Sequence, residues 1–404
     1  MHYIRLPGPP KLMVGRDGIR AELVFAICTD LGDKFLWPTD PVTLGVKAHI
    51  EPSSIWDAEK SCSLSTVQWS PGKRIVKQSF MLPRMVENAF KGGKTVSVSI
   101  SPDDPTLCAD GVRNIIRSSV STRSGDGSAK HGLILPVWVG LSGPSVDGDA
   151  CLRRILLAGP SARPRYLEIG EEIGESIARH IWDAGLVSLC AIAGAFEFPE
   201  LETSQSSCMT RLLGILNKQD GVNVLELGCG VGILGIGLSA VYPRGVRECT
   251  ILMTDLGEAE ARARSNVGLL RQQRFGSDRG YAQVLYENLD WESGQQGRFG
   301  SRVQDRRWDL IMLSDCTYNA DSIPALVGTL SALHRLNLEF PAAESEEPFS
   351  TKVFVATKPR HDDELVLFGM MADERWTMLD KLTLPLPVLD TEPERVEMYL
   401  FEKV

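Results

Sequence analysis

The 404-residue chain has no CxxC pair and no cysteine–histidine spacing of a zinc site: its nine cysteines are scattered and histidines number only six. A disulfide framework and a metal centre are therefore not expected, and the thiols read as reduced and mostly buried. Basic residues are not in excess. Lys plus Arg is 43 against 52 for Asp plus Glu, a net charge of −9, which argues against coating nucleic acid or an anionic membrane through bulk charge. The longest apolar run, Gly185–Phe196, is a dozen residues, short of the roughly 18–20 that span a bilayer. The opening MHYIRLPGPP carries prolines where a signal peptide needs an apolar run. The expectation is a protein of the cytoplasm or nucleus, monomeric, with no membrane partner. Hydrophobic and charged fractions of 43% and 24% exclude collagen, coiled coil and wholesale disorder, and the length suggests two domains, or three.

The first 140 residues read as β-rich. Val42, Leu44, Val46, Ala48 and Ile50 alternate with other residues, as do Val96, Val98 and Ile100, which places each set on one face of a strand. Glu22–Cys28, Ile75–Leu82 and Leu133–Val139 are further strand candidates, with Pro, Gly and Asp between them. Short strands and frequent turns predict a sandwich-like N-terminal domain over 1–140, with 141–165 as linker.

A different texture covers 166–404. Ile169, Ile173, Ile177 and Ile181 recur every four residues, the spacing of an amphipathic helix. Strands at Val222–Leu227, Cys249–Met253, Trp308–Leu313 and Lys352–Ala356 then alternate with helices at Ile233–Val241, Glu258–Gln272, Asp321–Leu336 and Asp362–Glu374. Two closing strands are expected near Met378–Leu386 and Val396–Glu402. Such alternation predicts an α/β domain built on a mostly parallel sheet. Gly294–Arg307 and Pro341–Ser350 read as polar loop insertions, the first carrying Arg298, Arg302, Arg306 and Arg307. That basic patch is a solvated loop, or the contact for an acidic partner or RNA.

The sharpest motif is Glu226-Leu-Gly228-Cys-Gly230-Val-Gly232, between a strand and a helix. Glycine permits tight turns and close approach, and a helix N-terminus favours a carboxylate or phosphate. The spacing is not the GxGxxG of dinucleotide enzymes, which disfavours an oxidoreductase. Asp255, closing the second strand, is placed to accept both hydroxyls of a ribose; its alternative role is a helix cap.

These residues resemble the Rossmann-like, seven-stranded class I methyltransferases that use S-adenosylmethionine. More closely they resemble the eukaryotic protein-lysine methyltransferases that carry a DxxY motif. Trp182-Asp183-Ala184-Gly185 is similar to that family's tryptophan-bearing helix, Leu289-Asp290-Trp291 to its LDW segment, Asp315-Cys316-Thr317-Tyr318 to its DxxY, and Lys358-Pro359-Arg360 to its segment after strand five. The β-rich N-terminal region is like that of fungal relatives. Glu292 and Gly257 depart from the family pattern, which commonly has glycine and proline there.

The resemblance implies S-adenosylmethionine as cofactor and a lysine-bearing protein as partner. It places the cofactor's methionine end at Glu226, Gly228, Gly230 and Gly232 near Trp182, its ribose at Asp255, and its adenine at Asp290 and Trp291, with Ser314 close by. It assigns Asp315 and Tyr318 to the substrate side. Three readings stay open: a protein-lysine methyltransferase, a small-molecule methyltransferase on the same fold, and a binding scaffold with weak or no catalysis. The intact motifs argue against the scaffold, and a second domain mildly favours a macromolecular substrate.

Overall fold

The computed structural model describes all residues except 52–59, 122–133, 142–149, 158–164, 175–176, 219–220, 243–247, 274–281, 341–348 and 390–393. These form two compact units.

The first unit comprises Met1–Leu156, Arg165–His180 and Leu386–Pro393. One sheet runs in the order Lys11–Gly15, Gly18–Cys28, His2–Arg5, Ile134–Leu135, with Val76–Met81 also on Gly18–Cys28. A six-stranded sheet runs Tyr166–Glu172, Ala150–Leu156, Val137–Gly140, Val96–Pro102, Val42–Ile50, Lys60–Trp69. Residues of both sheets, among them Phe25, Ile27, Val46, Trp69 and Val98, share one hydrophobic core. The unit is thus a sandwich, as the alternation predicted.

Two expectations fail in this region. Tyr166–Glu172 is a strand, not the start of a helix, and only Ile177–Arg179 makes a 3₁₀ turn. A spacing of four fits period two as well as period 3.6, and here Leu167, Ile169 and Glu171 are buried alternately. Ala150–Leu156, inside the expected linker, is also a strand. Its buried face carries Arg153, which hides the alternation from a hydrophobicity reading. Arg153 is fully buried, pairs with Glu171 and donates to the carbonyls of Ile4, Leu135 and Pro136. That satisfies a charge which would otherwise be costly to bury.

The second unit comprises Leu157–Pro164, Ile181–Pro385 and Glu394–Val404. Its strands are β1 (Val222–Leu227), β2 (Cys249–Asp255), β3 (Gln283–Asn288), β4 (Leu310–Ser314), β5 (Thr351–Thr357), β6 (Thr377–Pro385) and β7 (Arg395–Lys403). They form a seven-stranded sheet in the order β3-β2-β1-β4-β5-β7-β6, parallel except for β7, which runs antiparallel between β5 and β6. The main helices are α1 (Asp183–Glu197), α2 (Ser207–Leu216), α3 (Ile233–Val241), α4 (Gly257–Gln273), α5 (Ile323–Glu339) and α6 (Val366–Asp373). The longest apolar run becomes α1, buried along almost its whole length, and among the described residues no helix is long and apolar enough to cross a membrane. Strand order reverses between β1 and β4, and ligands of open α/β sheets bind where the carboxyl ends of the strands part at such a reversal. The segments after β1, β2, β3, β4 and β5 all emerge on that edge, and they carry the motifs named above.

Candidate functional site

The glycine loop after β1 owes its shape to three left-handed residues, Gly228, Gly230 and Gly232, with φ of 64°, 54° and 84°. A Cβ at Gly228 would lie 2.6 Å from the Cys316 sulfur and 3.2 Å from Trp291 Cζ2. The ExGxGxG, DxxY and LDW segments therefore meet at one point. The Gly230 amide donates to Asp255 Oδ2 (2.7 Å) and the Leu256 amide to Asp255 Oδ1 (2.7 Å). Burial pushes the Asp255 carboxyl up, against those two hydrogen bonds.

The resemblance places Glu226 at the cofactor's methionine end. Its side chain is buried, and Oε2 accepts from the Gly235 amide of α3 at 3.0 Å. Oε1 has no partner among the described residues. Burial pushes this carboxyl up to about 8. A Cβ on Gly235 would collide with Glu226 Oε2 and stand 3.0 Å from Met253 Cγ. The glycine at 235 is thus a site residue that the motif reading passed over, although it continues the run of glycines at 228, 230 and 232.

Beyond Asp255 lies a cavity of about 280 Å³, lined by Asp255, Leu256, Gly257, Asn288, Leu289, Asp290, Ser293, Arg298 and Gly300. Of the sequence-predicted residues it gathers Asp255 and Asp290. Asp290 caps the short helix Trp291–Gly294 by accepting from the Glu292 amide (3.1 Å). Trp291 is half-buried, and its carbonyl accepts from Thr329. The far wall comes from Gly294–Arg307, expected to be a polar loop. It is ordered instead, because the Arg302 and Val303 amides donate to Glu287 (3.0 and 3.3 Å) and Val303 is fully buried.

The DxxY segment lies on the other side of the loop. Asp315 adopts a left-handed φ of 52°, a strained conformation for a residue with a side chain. Several fixed partners hold it there, the Lys358 amide among them (3.4 Å to Oδ1). Oδ2 accepts from the Ala184 amide at the start of α1 (2.7 Å), Oδ1 from Arg360 Nη1 (2.9 Å), and its own amide donates to the Ala356 carbonyl (2.9 Å). Trp182 immediately precedes α1, and the Arg360 guanidinium lies 5.7 Å from its ring centre. Ser314 ends β4, with its hydroxyl 3.2 Å from where a Cβ on Gly185 would be. Tyr318 is 58% exposed. Thr317 donates to buried Glu364 (2.7 Å), whose other oxygen accepts from the Arg360 amide (3.0 Å). Arg360 and Glu364 thus tie the segments after β4 and β5 together, a role no spacing in the sequence signals. Lys358 is buried against Asp183 (2.9 Å) and Glu394 (2.7 Å).

A profile of the lysine methyltransferase family matches residues 162–374, more than half of the chain. The chain belongs to the lysine methyltransferase family. A UPF0665 family protein of Schizosaccharomyces pombe is 29% identical over 233 residues, which span 57% of this chain and 58% of that relative. Similar solved structures include the magnesium protoporphyrin IX methyltransferase of Synechocystis PCC 6803 with S-adenosylhomocysteine bound (14% identity, TM-score 0.31, 49% of this chain and 81% of that one). Another is precorrin-6y C5,15-methyltransferase from Geobacter metallireducens (12% identity, TM-score 0.31, 50% and 90%). The methyl donor of this methyltransferase family is S-adenosylmethionine. The residues present fit that group: a loop opened by left-handed glycines, a carboxylate at the end of β2, and a cavity beyond it walled by a second carboxylate.

Proposed function

We propose that this chain transfers a methyl group from S-adenosylmethionine to the side-chain amine of a lysine in another protein. The observation that carries the reading is the fixed, strained Asp315, anchored to α1 and Arg360 at the strand reversal, with exposed Tyr318 three residues on.

Asp255 would hold the ribose hydroxyls, and Asp290 would accept from the adenine amine, both on the cavity. Gly228, Gly230 and Gly232 would let the backbone approach the methionine end. Glu226 is a positioning residue for that loop, through Gly235. When bound, S-adenosylmethionine supplies a methyl on a sulfonium that can be displaced in line.

The chain's own residues must bring a lysine amine to that methyl and let it shed a proton. An amine with a pKa of about 10.4 is charged at neutral pH, and a bare carboxylate beside it would keep it so. Asp315 is already paired with Arg360. It can therefore align the amine while holding the ammonium form less strongly than an unpaired carboxylate would. Tyr318 would line the approach, and alignment supplies most of the rate. The N-terminal sandwich would supply a second surface for a protein substrate.

The test is transfer of labelled methyl from S-adenosylmethionine into a lysate lacking this protein's own activity. Label in protein, recovered as methyl-lysine after hydrolysis, supports the reading. Label only among metabolites would replace it with a small-molecule methyltransferase, and no label at all would contradict both.

A further inference from the structure

The insertion Gly294–Arg307 carries four arginines, and the structure separates them. Arg302 donates to the Tyr286 carbonyl (2.8 Å), Arg306 pairs with Asp305 (2.6 Å), and Arg307 lies 4.3 Å from the centre of the Phe349 ring. Arg298 alone lines the cavity beyond Asp255. Among the described residues its guanidinium has no hydrogen bond, ion pair or ring contact. The segment that presents it is pinned on both sides. The Arg298 amide donates to the Ser293 carbonyl (3.1 Å), while Arg302 and Val303 are tied to Glu287. A Cβ on neighbouring Gly300 would collide with the Glu287 carboxylate. Arg298 is thus an uncommitted cation delivered by an ordered segment to the wall of a cavity that also contains Asp290.

We propose that Arg298 is a cofactor-contacting residue that reads the adenine edge together with Asp290, an inference that rests on the cofactor occupying this cavity as proposed above. Adenine offers an amine donor flanked by ring-nitrogen acceptors. A carboxylate matches the amine, and a guanidinium, which only donates, matches the acceptor. Exchange of the amine for a carbonyl reverses the edge, setting an oxygen against Asp290 and an N–H against Arg298. A site built on hydrogen bonds rejects a ligand that leaves its polar groups unpaired.

The test is calorimetric titration of the full chain with S-adenosylhomocysteine and its 6-oxo analogue, S-inosylhomocysteine. Wild type should bind the adenosyl compound at least ten-fold more tightly. Arg298→Ala should weaken adenosyl binding roughly ten-fold and narrow the discrimination between the two compounds, the loss expected of one charge-assisted hydrogen bond. Arg298→Lys should recover part of the affinity. Unchanged affinity and discrimination in Arg298→Ala, with binding lost in Asp255→Ala, would overturn the role of Arg298 and leave the cofactor site standing. Wild-type-like binding by Asp255→Ala would overturn the site itself.

Discussion

Asp315 and Arg360 form a buried ion pair, Nη1 to Oδ1 at 2.9 Å, between the segments that follow two adjacent parallel strands. Removal of one partner leaves an uncompensated charge in a poorly hydrated place, which costs more than the pair itself contributes. Arg360→Ala should therefore lower stability by roughly 3 kcal/mol in urea unfolding. The double variant Arg360→Ala with Asp315→Asn should be less destabilised than the sum of the two single changes. Additive losses would show that the pair is not coupled.

Glu226 gives a pH dependence of known sign. Its carboxyl moves from an ordinary 4.5 to about 8 on folding. The folded protein thus keeps a proton that the unfolded chain has released. Stability from this group is full below about 4.5, declines as pH rises, and is lost above the folded value. Glu226→Gln is neutral throughout and keeps an acceptor for the Gly235 amide. It should gain on wild type by roughly 3 kcal/mol between pH 5.5 and 8.5. Urea midpoints at the two pH values check this, and a constant difference would refute it.

Two glycine substitutions should act in opposite directions. Gly235→Ala forces a Cβ onto Glu226 and should cost roughly 1–3 kcal/mol by overpacking, with weaker binding of S-adenosylhomocysteine. Gly268→Ala, inside α4 with nothing within 4 Å of the added atom, should stabilise by roughly 0.5–1 kcal/mol through helix propensity. Thermal melting of both decides the point.

What the sequence made legible follows from periodicity and glycine. Six of the seven strands in the second unit are legible as apolar runs flanked by turns, β3 being the exception, and the three left-handed glycines mark the loop directly. The strand Tyr166–Glu172 looks helical in sequence because isoleucines four apart satisfy both periods. The strand Ala150–Leu156 does not show in the hydrophobic pattern because its buried face holds Arg153. The site divided in the same way. Asp255 stands out from its position at the end of the second strand, whereas Asp290 is marked only by the resemblance of Leu289-Asp290-Trp291 to a family segment, because the strand before it, Gln283–Asn288, mixes polar residues with apolar ones. Arg360 and Glu364 act through contacts between segments tens of residues apart, such as Thr317 with Glu364; Lys358-Pro359-Arg360 stands out as a motif and Arg298 as part of a basic patch, but no local pattern announces what surrounds their side chains. Glu226 shows the converse: its place in the motif is evident, but only packing reveals that its carboxylate faces Gly235.

The central claim is that Asp315 serves the incoming amine and not the cofactor. The most direct measurement is Asp315→Asn, an isosteric change that keeps an acceptor for the Ala184 amide, assayed for S-adenosylhomocysteine affinity and for labelled methyl transfer to protein at saturating S-adenosylmethionine. The account predicts affinity within a few-fold of wild type and transfer slowed by about 100-fold or more, the scale of a lost orienting contact. Transfer at the wild-type rate, or affinity lost along with it, would contradict it.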